Sequence, residues 1–147
     1  MKFVIQRVTH SSVTVDSKIV GQISKGFMVL IGVSNEDTKE IADKMIKKML
    51  GLRIFEDENG KMNLAPDKVG AGLMIISQFT LFADCRSRRP GFSLAARPET
   101  AIPLYETVIR LCRERGFDVQ TGVFAAEMMV DSENDGPVTI LLDTNEL

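Results

Sequence analysis

The sequence predicts a mixed α/β fold, a single domain over residues 1–147 in which strands form two layers and two amphipathic helices cover one face. Three observations carry that expectation. Apolar residues keep a two-residue period at Phe3 and Ile5 and again at Val13 and Val15, ahead of a glycine-bounded apolar run from Gly26 to Val33. Two later stretches change to a helical period. With 44% apolar and 26% charged residues in 147, the chain has the composition and length to bury one core without staples.

The first stretches therefore read as strands. From Asp37 to Leu50 the apolar positions Ile41, Met45, Ile46, Met49 and Leu50 share one helical face, with Asp37 and Glu40 at capping-box spacing and Gly51 as the stop. Ile54-Phe55 starts another extended piece, and Asp57-Glu58-Asn59-Gly60 has the residues of a turn. Leu73 to Ile76 reads as a buried strand running straight into the polar motif Ser77-Gln78-Phe79-Thr80. A second helix carries Leu104, Val108, Leu111 and Cys112 on one face, arginines in its last turns and Gly116 as its cap. Pro98 suits its first turn, whereas Pro103 should kink or delay it. Val119 to Leu142 reads as two or three strands.

Composition also restricts function. The only cysteines, Cys85 and Cys112, lie far apart and outside any zinc or redox spacing, so a reducing cytoplasm is expected. The first fifteen residues alternate and carry Lys2, Arg7 and His10, unlike a secretory leader, and no apolar run is long enough to span a membrane. A net charge of −2 argues against a broad basic coat for nucleic acid, although Arg86, Arg88 and Arg89 make a local cationic patch. That patch either contacts phosphates or is a solvated loop. His10, the only histidine, reads as a turn residue between strands, and any Ser-His-Asp arrangement would have to use it. Neither helix pairs metal-ligating residues at ligand spacing, so no metal or other cofactor is expected.

Two polar motifs remain, SQFT at Ser77–Thr80 and NDGPVT at Asn134–Thr139. A Ser-Gln pair closing a buried strand presents a hydroxyl, an amide and backbone N–H groups at a sheet rim, able to hold a carbonyl or carboxylate oxygen, or else simply satisfies a strand end. A Gly-Pro pair inside the last strand marks a turn, an edge or a close backbone approach.

Together these motifs resemble the D-aminoacyl-tRNA deacylases. The resemblance runs along the chain, from Ile5-Gln6-Arg7-Val8 and Ser12-Val13-Thr14-Val15 through Gly51–Leu64 and SQFTL to Thr121–Met128 and NDGPVT. It implies a cytoplasmic homodimer that hydrolyses the ester joining a D-amino acid, or glycine mischarged on an alanine tRNA, to the terminal ribose; tRNA is the implied partner, not DNA or membrane. Catalytic roles fall on Ser77, Gln78, Phe79 and Thr80. Gly136 and Pro137, as a cis Gly-Pro from the partner subunit, would screen chirality. Arg7 would brace that loop, Phe124 and Met128 would lie near the terminal adenosine, and Thr139 would join the substrate-binding group. The substrate's own 2′-hydroxyl would assist hydrolysis. Thr80 as nucleophile ranks behind, since nothing in the motif is placed to activate it. A non-catalytic binder of RNA ends or small metabolites and a generic Ser77 esterase complete the alternatives. Asp131-Ser132-Glu133 departs from the family's apolar pattern and leaves that strand's pairing open.

Overall fold

The computed structural model describes all 147 residues, Met1 to Leu147. Strand β1 (Lys2–Val15) is its spine, because three other strands pair with it. β2 (Lys18–Ile23) pairs antiparallel with the far half of β1 and β3 (Gly26–Gly32) with the near half, while β8 (Met129–Asp143) follows the other edge along nearly its whole length. β6 (Gly72–Ser77) and β7 (Val119–Thr121) extend the sheet in parallel from β3. Each parallel step needs a crossover, which α1 (Lys39–Leu50) and α2 (Pro98–Glu114) supply. A small hairpin, β4 (Phe55–Glu56) and β5 (Met62–Leu64), stands apart. The sheet curls until β2 meets β7, where a Cβ on Gly21 would lie 2.6 Å from the Thr121 carbonyl oxygen.

Strand alternation splits the core in two. Phe27, Val29 and Ile31 of β3 and Leu73 and Ile75 of β6 face the helices with Phe3 and Ile5; Met28, Met74 and Ile76 face the interior of the curled sheet with Val8, Val13 and Ile23. The expected class therefore holds, with both helices on one face and the strand layers formed by a single six-stranded sheet bent round on itself. Both faces of β3 and β6 are covered, which is why these strands read as continuous apolar runs. The helices contribute Ala42, Met45, Ile46, Met49 and Leu50 from α1 and Leu104, Tyr105, Val108, Ile109 and Cys112 from α2. Each Leu, Ile, Val or Met among them gives about 1.5–3 kcal/mol on burial.

Several local expectations change. Thr38, not Asp37, caps α1, its hydroxyl accepting from the Ile41 amide. Asp37 instead accepts the Met1 ammonium at 2.7 Å and the Ser34 amide. α2 runs unbroken through Pro103 and ends at Glu114 with Arg115, not Gly116, as its cap; Gly116 follows at φ +90. His10 is no turn residue: β1 is continuous there, and His10 pairs with Glu133 across the ladder. The polar Asp131-Ser132-Glu133 stretch pairs fully with Ser12, Ser11 and His10, because its side chains meet polar partners. Ser132 shares a 2.8 Å hydrogen bond with Ser11, and Glu133 accepts from the Thr9 hydroxyl at 2.6 Å.

Candidate active site

β6 is buried up to Ile76 and its ladder ends at Ser77, opposite Ile31, so Ser77 and Gln78 emerge at the sheet rim. The Gln78 amide still donates to the Ile31 carbonyl at 2.7 Å, which fixes the exit of the chain. Phe79–Phe82 then form one 3-10 turn, whose first N–H groups have no acceptor within the turn. Lys2 holds the turn from the side, donating to the Leu81 carbonyl and lying 4.8 Å from the Phe82 ring centroid. The Gln78 carboxamide donates to the Thr80 hydroxyl.

Beneath this rim lies a cavity of about 700 Å³ lined by Ser77, Gln78 and Phe79, by Phe92, Ala95, Ala96, Arg97, Pro98 and Ala101 on the approach to α2, and by Phe124, Ala125, Ala126 and Met128. The size suits a nucleoside-sized ligand. Arg97 is the only ionisable side chain in the lining. Phe124 leans toward the Tyr105 ring, centroids 6.2 Å apart, and Met128 lies over Gly122, where a Cβ would stand 2.3 Å from its sulfur. The loop between them holds Ala125 at φ +63, a left-handed backbone that a non-glycine residue adopts only under constraint from its surroundings. Tyr105, buried in α2, donates to the Ile75 carbonyl at 2.7 Å, two residues before Ser77. Burial pushes its phenol up to about 12, against a smaller opposing effect of the Ser77 amide, so the hydroxyl remains a donor at neutral pH.

NDGPVT forms a second group of residues. Between Gln6 and Val8, β1 advances two residues while β8 runs from Thr139 to Asn134, so Asp135–Val138 leave the ladder as a bulge. Its Gly136-Pro137 bond is cis, as the resemblance implies, and both residues are exposed. Arg7, only 4% exposed, braces the bulge: its guanidinium donates to the Asp135 carbonyl at 3.0 Å and the Ile54 carbonyl at 2.7 Å, with the Asp135 carboxylate 3.6 Å away. Asn134 closes the base by accepting from the Val138 amide at 2.9 Å. Gln6 and Asn134 both donate to the Thr139 hydroxyl.

The predicted residues thus fall into two sets. Ser77, Gln78, Phe79, Phe124 and Met128 share the cavity, with Thr80 on its rim. Arg7, Gly136, Pro137 and Thr139 surround the bulge on β8, separated from β6 by β1 and β3, or three strand spacings of about 4.8 Å. One chain does not bring the sets together. Sequence reading missed the wall from Phe92 to Ala101, which has no motif spacing and takes its place only because Ser34 bridges Ala95 and the Ala96 amide donates to the Val33 carbonyl. Arg86, itself exposed, pairs with Asp84 at 2.6 Å and holds that carboxyl below its usual range, so Arg88 and Arg89 are the loop's unpaired cations.

A curled mixed sheet with two helices on one face, a nucleoside-sized cavity at a strand end and an exposed Gly-Pro bulge define a class that comparison with known proteins resolves. Residues 4–143 match the family described as D-Tyr-tRNA(Tyr) deacylase. The chain is 56% identical over 147 residues to the D-aminoacyl-tRNA deacylase of Clostridioides difficile, covering 99% of each chain. It is 52% identical to that of Fervidobacterium nodosum, covering all of this chain and 99% of the other. A solved structure described as the c-Myc DNA unwinding element binding protein superposes with a TM-score of 0.92 at 40% identity, covering 97% of this chain and 98% of that one. A probable eukaryotic D-amino acid tRNA deacylase shares the fold, with a TM-score of 0.84 at 19% identity over 96% of this chain and 97% of the other. The chain belongs to the D-aminoacyl-tRNA deacylase family.

Proposed function

We propose that this protein hydrolyses the ester of D-aminoacyl-tRNA and of glycyl-tRNA mischarged on an alanine tRNA, as a cytoplasmic homodimer. The observation that carries the mechanism is the cavity lining, which offers no carboxylate, imidazole, thiol or amine as a base. Hydrolysis then rests on positioning. The ester carbonyl faces the Phe79 and Thr80 amides, which stabilise the oxyanion. Ser77 and Gln78 hold the aminoacyl group, and Phe124 and Met128 the adenosine. Water adds to the carbonyl and gives a proton to the neighbouring 2′-hydroxyl oxygen as that hydroxyl passes its own proton to the departing 3′-oxygen, so the acid and the 3′-hydroxyl form and the 2′-hydroxyl is regenerated. Free amino acid and tRNA leave.

Selectivity is assigned to the bulge of a partner subunit. Three facts support this: the bulge projects from its strand, it is held rigidly by Arg7 and Asn134, and it lies remote from its own cavity. Backbone atoms of Gly136 and Pro137 close over the substrate's α-carbon, so an L side chain collides, a D side chain points away and glycine has nothing to exclude. Matched D-, L- and glycyl-tRNAs provide the test. Release of D-amino acid and glycine with L-aminoacyl-tRNA spared is expected, and substrates ending in 2′-deoxyribose should react poorly. Saturable binding of all three without release would make the protein a binding module instead.

A further inference from the structure

Phe79 and Phe92 stand at the mouth of the cavity 54% and 40% exposed, ring centroids 5.0 Å apart and planes at 72°. Apolar rings usually leave water; this edge-to-face pair stays accessible beside a cavity whose depth is already assigned to the terminal nucleoside. The neighbouring charge is cationic. Asp84 and Gly91 exchange backbone hydrogen bonds of 2.7 and 2.9 Å, closing a loop whose tip carries Arg88 and Arg89, neither with an acidic partner. Arg97 lines the same mouth and remains largely exposed despite its 3.7 Å approach to Glu99. In a chain of net charge −2, unpaired arginines beside exposed rings fit a single-stranded polyanion carrying π-faces.

The geometry points to a second nucleotide subsite: Phe92, exposed beside Phe79, stacks the base of the nucleotide preceding the terminal adenosine, while Arg88 and Arg89 meet the phosphates that follow. This rests on the tRNA reading of the cavity and deepens it. Stacking accepts any base, so the subsite adds affinity for the tRNA end without choosing among tRNAs. It also fixes the direction in which the acceptor strand leaves, from the cavity across Phe92 toward the arginine loop.

The test separates this subsite from catalysis by using uncharged ligands. Affinities of adenosine, cytidylyl-adenosine and the cytidylyl-cytidylyl-adenosine trinucleotide are measured by calorimetry for the wild-type chain and for Phe92→Ala, Phe92→Leu and Phe92→Tyr. A stacked base contributes about 1–3 kcal/mol, so the dinucleotide should bind the wild type roughly 5- to 150-fold more tightly than adenosine. Phe92→Ala and Phe92→Leu should remove most of that gain of dinucleotide over adenosine, whereas Phe92→Tyr should keep it. Replacing Arg88 and Arg89 with Ser should flatten the salt dependence of trinucleotide binding only. A dinucleotide gain that survives Phe92→Ala, or an equal loss for adenosine and dinucleotide, overturns the subsite. So does a Phe92→Ala effect confined to oligomeric state. Loss of the deacylase reading shows separately, as failure of the wild type to release D-amino acid.

Discussion

Arg7 shows how one buried charge can organise a loop. It stands where β1 and β8 lose register, and its guanidinium satisfies carbonyls from two segments remote in sequence, Ile54 and Asp135. Arg7→Met keeps the stem but leaves those carbonyls without their donor, at about 2–3 kcal/mol, seen as a lower urea midpoint with an unchanged slope. Arg7→Lys should recover only part, since an ammonium cannot fork to both acceptors; full recovery would mean that charge alone is needed. Tyr105 acts on the other set through the Ile75 carbonyl. Tyr105→Phe should cost about 1 kcal/mol. Because the folded phenol is raised to about 12 while the unfolded one titrates near its ordinary 10, its contribution is complete below pH 10 and lost as pH rises from 10 to 12. The stability difference between wild type and Tyr105→Phe should therefore be flat from about pH 6 to 9 and change only in strong alkali. A change near neutrality would show the phenol ionising far earlier than its burial implies.

Among the elements, β8 carries the most information per residue. Its Gly136 has φ +130, and a Cβ there would meet Val138 Cγ2 at 2.8 Å and Arg7 Nη2 at 3.0 Å. Gly136→Ala should cost about 1–3 kcal/mol and displace the Arg7 brace, lowering melting temperature and kcat/KM together. An alanine variant with unchanged stability would show that the bulge relaxes freely. Much of this architecture was legible in the residues. Period-two alternation gave β1, the continuous apolar runs gave the doubly covered β3 and β6, and helical faces gave α1 and α2, because burial repeats with the geometry of each element. Illegible features depend on partners distant in the chain. Nothing local says that Asp37 serves the Met1 ammonium and leaves the cap to Thr38, or that Asp131–Glu133 pairs with the polar end of β1. The SQFT motif was visible, but the cavity wall from Phe92 to Ala101 arises only when that segment folds against β3.

On the scale of the whole molecule, the two candidate sets lie apart in one chain, and the sheet leaves apolar residues uncovered beside the bulge. Leu141, 71% exposed, pairs with half-buried Val4, which in turn pairs with half-buried Leu30. In the proposed dimer a second copy covers this strip and each bulge completes the other copy's cavity by symmetry. Mixed subunits decide the matter. Gln78→Ala disables a cavity, whereas Pro137→Asp leaves its own exposed bulge solvated but brings a carboxylate into any apolar cavity that the bulge enters, a costly burial. Each variant alone should be nearly inactive on D-aminoacyl-tRNA. If sites form between subunits, unfolding and refolding the two together pairs an intact cavity with an intact bulge once in each mixed dimer, and random assortment restores about a quarter of wild-type sites. If each chain builds its own site, every site in the mixture carries one defect and no activity returns. Leu141→Asp should abolish the effect by holding the chains apart, visible as a monomer in sedimentation, and a dimer that survives it would place the interface elsewhere.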